Sequence, residues 1–192
     1  SALIHAATMV TAGVYLVARL DALYAVSETA RFVVAVTGCA TALFAAASAI
    51  GQRDLKRILA WSTISQLGLM FLALGAARAP ASLFHLYTHA LFKALLFLSA
   101  GSVLVAIHHE KNVDRMGGLY RQIPFTFIGF ALGAAALSGA LPYVGGFLSK
   151  DIIFEEVRDY MYGGLPWGKY LYGAGLMVSA LTAFYIFRAL AD

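Results

Sequence analysis

Three ionisable residues stand in register inside one of the most apolar stretches of this chain. In SLFHLYTHALFKALLFLSAGS, His85, His89 and Lys93 are spaced i, i+4, i+8. On an α-helix they fall in one stripe that drifts by about 80° and rises ~12 Å from His85 to Lys93. Thr88 borders the stripe and can bridge hydrogen bonds. Imidazole accepts and donates a proton on its two nitrogens near neutral pH. A lysine removed from water can exist as amine or as ammonium. Groups of this kind in a row, joined by water, are what a proton wire requires. The competing reading is a polar seam that only holds helices together. Two histidines and a lysine in register favour the wire.

Other polar residues sit where polarity is expensive, at least ~2.5–3.5 kcal/mol per charged group at bilayer depth on insertion scales. Lys150 follows ALSGALPYVGGFLSKD, with Asp151 adjacent. Pro142 opposes helix continuation, Gly145 and Gly146 add freedom, and a helical apolar pattern then resumes. Two readings fit this segment: a discontinuous membrane helix with Lys150 just beyond the break, or an interfacial loop from which Lys150 reaches the headgroups. His5 and Thr8, three apart, give the first span a small polar face, more typical of a structural histidine. Ser62, Ser65 and Gln66 share a face in LAWSTISQLG and either glue helices or line a hydrated path. Asp54, Lys56 and Arg57 mark a membrane edge, where cations serve first as anchors. His108, His109 and Glu110 lack further ligands at metal-binding spacing. Cys39, the single cysteine, lies in an apolar run and reads as a small buried hydrophobe. No Gly-rich phosphate loop, flavin site or Fe–S cysteine set is present, so redox or hydrolytic chemistry is not expected of this chain.

The elements that must carry these residues are membrane helices. Of 192 residues 61% are hydrophobic and 12% charged, and mean hydropathy is +0.78. Soluble domains run at roughly 45–50% apolar and about 25% charged. Apolar segments cover Ala2–Leu20, Ala30–Ile50, Ile58–Ala77, Ala81–Ile107, a disturbed one from Ile123 through Leu141 onward, and Tyr170–Leu190. Each is near the length that crosses ~30 Å of hydrocarbon. They are rich in Ala, Leu, Gly and Phe without strict alternation, so an all-α polytopic transmembrane bundle is expected, with a discontinuous helix near Pro142. Net charge is +4, but the cations form no patch on a polar surface, and a nucleic-acid partner is excluded on that ground. Arg53, Lys56 and Arg57 in one loop and Lys111, Arg115 and Arg121 two spans later must share a side. The positive-inside rule makes that side cytoplasmic. The chain starts at Ser1 without a basic, signal-like segment and stops at Asp192 after an apolar run. An excerpt of a longer polypeptide is expected.

These residues also carry a family resemblance. The strings SALIHAATMVTAGVYLVAR, DLKRILAWSTISQLGLMFLALG, FHLYTHALFKALLFLSAGSVLVAIHHEKNVDRMGGL and LSKDIIF resemble the proton-translocating antiporter-like subunits of respiratory complex I, the NADH–quinone oxidoreductase. The chain is most similar to the distal member, with Thr11 where sister subunits and the Mrp antiporters tend to carry lysine, and a lysine in SKD where the middle subunit tends to carry glutamate. Trp61 stands where tyrosine is usual. The resemblance implies two inverted five-helix repeats and a lateral helix. Residues 1–20 would be the last helix of the first repeat, and 30–192 the second repeat, with spans near 30–50, 58–77, 81–107, 123–160 (broken) and 170–190. It implies a proton pathway through Lys93, Lys150, His85, His89, His5 and Lys56, supported by Asp54, Asp151, Thr88, Ser62 and Gln66. No cofactor is expected in this chain. NADH, FMN, Fe–S clusters and quinone would belong to partner subunits, the neighbouring antiporter-like subunit and the peripheral redox arm among them. Lipid surrounds such a subunit, in the inner (plasma) membrane of a bacterium or the inner membrane of an organelle. Two rivals remain: the large subunit of a multi-subunit Na+/H+ antiporter, and a structural membrane subunit that conducts nothing.

Overall fold

The computed structural model describes residues 2–6, 8–76, 78–108, 110–142, 145–162 and 168–191, with backbone alone at 119 and 160–162. His109, Tyr143 and Val144 lie outside the described residues. The helices are α1 (Ala2–Ala6), α2 (Ala12–Arg19), α3 (Asp21–Tyr24), α4 (Glu28–Ile50), α5 (Leu55–Gly75), α6 (Ala79–Ala106), α7 (Pro124–Ser138), α8 (Gly145–Tyr162) and α9 (Gly168–Ala191). No strand occurs among the described residues. Among the described residues five segments are long and apolar enough to cross a bilayer: Ala2–Arg19, Glu28–Ile50, Leu55–Gly75, Ala79–Ala106 and Gly168–Ala191. The helix Pro124–Ser138 is apolar but shorter.

Local signals set the helix ends. Ser27 caps α4, its hydroxyl accepting from the Ala30 amide at 3.3 Å. Asp54 caps α5, accepting from Lys56 N at 2.9 Å and Arg57 N at 3.2 Å. Proline opens α6 and α7, where its missing N–H costs nothing. At 28 residues, α6 is ~42 Å long and exceeds the hydrocarbon thickness.

Small residues bring α4 and α5 into close contact. Ala35, Gly38, Ala42 and Ala49 of α4 are buried against an α5 that is itself mostly buried. Such small-residue stripes let backbones approach in lipid. Cys39 is buried in the same seam. α6 is central, packing on α1, α5, α7 and α8, and α9 closes the bundle against α4, α5, α7 and α8. Outward faces carry Phe44, Leu91, Leu98, Val105, Phe125 and Phe184, all exposed. That surface suits lipid or apolar partners rather than water.

The disturbed segment is a break with its own geometry. α7 stops at Ser138, and Gly139 takes φ +76°, a left-handed cap that glycine adopts without strain. α8 then starts at Gly145, and a Cβ built on Gly146 would overlap the Ala136 carbonyl. Only glycine lets the start of α8 cross the end of α7 so closely.

The first span departs from expectation. It is not one helix: α1 ends at Ala6, Thr8 adopts φ −114°, ψ −100°, and a 3₁₀ turn over Met9–Thr11 leads into α2. The i, i+3 face of His5 and Thr8 therefore does not form. Thr8 is exposed and its hydroxyl donates to Leu3 O at 2.9 Å. The two cationic loops do lie at one end, as their charges require. Leu55 N donates to Lys111 O at 3.1 Å, and Val113 N donates to Arg53 O at 2.8 Å. Arg78, just before α6, pairs with Glu156 of α8 at 2.8 Å.

Candidate functional site: a buried row of lysine and histidine

The stripe on α6 is wholly buried: His85, His89 and Lys93 are each 0% exposed. Crossing near the middle of the bundle, α6 directs each side chain toward a different neighbour. Lys93 Nζ donates to Leu59 O at 3.1 Å and to Ser62 Oγ, both on α5. Ser62 in turn donates to Leu59 O at 2.8 Å. His85 reaches α8 and α5, with Nδ1 2.7 Å from Ser149 Oγ and Nε2 3.2 Å from Gln66 Oε1. An amide oxygen only accepts, so His85 carries its proton on Nε2 in this arrangement, and the Ser149 hydroxyl donates to Nδ1. Thr88 Oγ1 lies 3.0 Å from Ser149 Oγ.

His89 turns toward α1. Its Nδ1 lies 3.2 Å from Ala6 O at the end of α1. A carbonyl only accepts, so Nδ1 donates and a neutral His89 presents a bare, buried and unpartnered Nε2. The break between α7 and α8 gives Lys150 a parallel arrangement. Lys150 is 5% exposed, and its Nζ donates at 2.6 Å to Leu137 O in the last turn of α7. The carbonyl end of a helix attracts a cation. Lys150 is therefore buried and does not reach from a loop to the headgroups. Among the described residues neither Lys93 nor Lys150 has a carboxylate within ion-pair distance.

Other expected members lie elsewhere. Asp151 is exposed and does not join Lys150 in the interior; adjacent residues on a helix face about 100° apart. Lys56 is exposed at the start of α5 and rims an open depression of about 690 Å³ shared with Ala2, Phe97, Gly101 and Ser102. Asp54 serves as the helix cap, away from the row. His5 is half-buried and stacks on Phe97 with ring centroids 5.1 Å apart. Ser62, Ser65 and Gln66 divide: Ser62 and Gln66 face the row, whereas Ser65 donates to Ala42 O at 3.2 Å and joins α5 to α4.

Three members escaped sequence reasoning: Ser149 of α8, which meets His85, and Thr182 and Tyr185 of α9. Gln66 Nε2 donates to Thr182 Oγ1 at 3.5 Å, and Thr182 donates to Val178 O at 2.7 Å. The buried Tyr185 hydroxyl lies beside Thr182 and Ser62 without a hydrogen bond of normal geometry to either. In the sequence, the two α9 residues show only as hydroxyls three apart in the apolar run SALTAFYIF. Among the described residues no three His, Cys, Asp or Glu side chains converge as a metal would need.

Residues 1–165 match the family described as NADH:quinone oxidoreductase/Mrp antiporter, transmembrane. The chain is 50% identical over 190 residues to NADH-quinone oxidoreductase subunit L of Escherichia coli, covering 98% of this chain and 30% of that protein. It is 48% identical over 190 residues to NADH-ubiquinone oxidoreductase chain 5 of Allomyces macrogynus, covering 99% of this chain and 29% of that one. The chain thus spans about 30% of the length of these curated relatives. Its fold superposes on a chain of the Mrp complex from Dietzia sp. DQ12-45-1b with a TM-score of 0.88 at 35% identity, covering all of this chain and 21% of that one. A chain of the membrane-bound sulfane sulfur reductase, an archaeal respiratory membrane complex, gives 0.86 at 28% identity, covering 98% of this chain and 38% of that one.

Proposed function

Because the chain belongs to the NADH:quinone oxidoreductase/Mrp antiporter transmembrane family, we propose that it is part of the distal proton-translocating membrane subunit of an NADH–quinone oxidoreductase. Residues 30–192 would form the second of two inverted five-helix repeats, and residues 1–20 the last helix of the first. Such a subunit is multi-pass, in the bacterial inner (plasma) membrane or the organellar inner membrane. It works beside a neighbouring antiporter-like subunit and a peripheral arm that holds FMN and Fe–S clusters and passes electrons from NADH to quinone.

One observation carries the reading: two buried lysines, without carboxylate partners among the described residues, flank a histidine held in hydrogen bonds. An ammonium fixed at this depth without a counter-charge is costly. A group that gives up and regains its proton is not held to that cost throughout a cycle. Lys93 keeps acceptors on α5 and Lys150 on α7 in either protonation state, so each amine stays in place while its charge changes. His85 and Ser149 stand between them. Free energy would come from quinone reduction elsewhere in the complex, which would alter the charge next to Lys93.

The test replaces Lys93 and Lys150 with alanine in the full-length subunit within its native assembly. Proton pumping in proteoliposomes should fall much further than assembly does. Full pumping with both replaced would overturn the proposal. The Mrp superposition favours a second reading, the large subunit of a Na+/H+ antiporter, and sodium-dependent proton transport without NADH oxidation would establish it. The higher identity to subunit L supports the first. A Lys93 that exchanges no deuterium would point to a purely structural subunit.

A further inference from the structure

Between Lys93 and His85 the hydrogen-bonded row has one discontinuity, and Tyr185 fills it. On one side, Lys93 Nζ reaches Leu59 O at 3.1 Å and also meets Ser62 Oγ. On the other, Thr182 accepts from Gln66 Nε2 at 3.5 Å, and Gln66 Oε1 stands 3.2 Å from His85 Nε2. The Tyr185 ring is 0% exposed, and its hydroxyl sits beside Ser62 and Thr182 with a normal bond to neither. A buried hydroxyl left without a partner is unfavourable, so its proton is drawn to one neighbour or the other.

The charge on Lys93 decides which. As an ammonium, Lys93 only donates, and Ser62 must accept from it while donating to Leu59 O, 2.8 Å away. Ser62 keeps one lone pair, but a second proton aimed at it would face the ammonium, so Tyr185 donates to Thr182 instead. As an amine, Lys93 offers a lone pair, Ser62 can donate to it, and the freed oxygen of Ser62 accepts from Tyr185. Thr182 is released or engaged accordingly. Without Tyr185 its hydroxyl donates to Val178 O at 2.7 Å while accepting from the Gln66 amide, 3.5 Å away; a proton from Tyr185 competes with that long contact, and once the amide lets go the Thr182 hydroxyl can turn to meet the amide oxygen. A turned Gln66 presents its NH₂ to His85 Nε2, which must then accept; when a conducted proton makes His85 transiently an imidazolium, the N–H bond on Nε2 is the one that breaks, that proton is passed on along the row, and the one retained is on Nδ1 toward Ser149.

We propose that Tyr185 is a positioning residue, a hydrogen-bond switch through which the proton occupancy of Lys93 sets, by way of Thr182 and Gln66, which nitrogen of His85 carries its proton. This rests on the proposed proton conduction and adds a route of communication through α9 that bypasses His89. No bond other than hydrogen bonds changes at Tyr185, Thr182 or Gln66.

The test reads the imidazole infrared band that distinguishes Nδ1–H from Nε2–H, assigned to His85 by its loss in His85→Gln, in the full-length protein within its native assembly. Lys93→Met should change the His85 tautomer ratio by about fivefold or more. In a Tyr185→Phe background, which removes one oxygen and keeps the ring, the same substitution should leave the ratio unchanged. Thr182→Val should abolish the response at the next link, and Tyr87→Phe, on an exposed face of α6, should preserve it. An undiminished response in both Tyr185→Phe and Thr182→Val overturns the switch. Loss of pumping in the Lys93 and Lys150 alanine variants beside that undiminished response would sink this inference alone, leaving proton conduction standing.

Discussion

Gly68→Ala tests whether the α4–α5 contact positions the conduction row. A Cβ on Gly68 would stand 2.6 Å from the Ala42 nitrogen and 2.6 Å from the Gly38 carbonyl oxygen. Optimal separations are ~3.5–4.0 Å, so the two helices must part by roughly 0.9 Å or more, forfeiting a quarter to a half of the dispersion along the contact. Overpacking of this kind costs about 1–3 kcal/mol. Alanine's higher helix propensity returns ~0.8–1.0 kcal/mol, leaving a net loss of up to about 2 kcal/mol. Gly173→Ala is the matched control: nothing lies within 4 Å of its Cβ, so only the propensity gain applies. Heat denaturation of the full-length protein in detergent should show a lower midpoint for Gly68→Ala and an equal or higher one for Gly173→Ala. Gln66 sits half a turn from Gly68 and lies 3.2 Å from His85, so pumping should fall in the first variant and hold in the second. Equal midpoints for the two variants would refute the close-contact argument.

Ser149→Ala strips His85 Nδ1 of its 2.7 Å partner. It should destabilise the protein by about 1–3 kcal/mol and reduce pumping, read by denaturation in detergent and by proteoliposome assay; unchanged values in both would show that the contact carries nothing. Glu110, in the loop after α6, is held below the usual carboxylate range, first by the Asn112 amide and then by the Lys111 amide. Its folded value is the lower one, so the order it lends the loop is present above the unfolded value and lost as pH falls through the folded one. Exchange of the Lys111 and Asn112 amides should quicken below the ordinary carboxylate range, and in Glu110→Gln this acceleration should disappear.

The α6 stripe was legible because a 3.6-residue repeat places His85, His89 and Lys93 together wherever the helix lies. The break at Pro142 was legible from residues that cannot continue a helix. The sequence left two readings for Lys150, and what separates them is a tertiary contact, the Leu137 carbonyl exposed by the end of α7. The interruption of the first span carries no proline, and the Ala6 carbonyl at the end of α1 is taken by His89 from a distant element. Spacing placed Ser65 with Ser62 and Gln66, but the tightness of the α4–α5 seam draws its hydroxyl to Ala42. Thr182 and Tyr185 look like ordinary helix residues, and only the placement of α9 makes them neighbours of Ser62 and Gln66.

Lys93, Lys150 and His89 all hang on main-chain oxygens, those of Leu59, Leu137 and Ala6. No point mutation can delete a carbonyl. Inheritance can therefore retune these anchorages only by reshaping the path of the chain, through the glycines, prolines and interruptions that decide where each peptide unit points. Variation in efficiency between relatives should accordingly be sought in backbone punctuation before it is sought in the polar residues themselves.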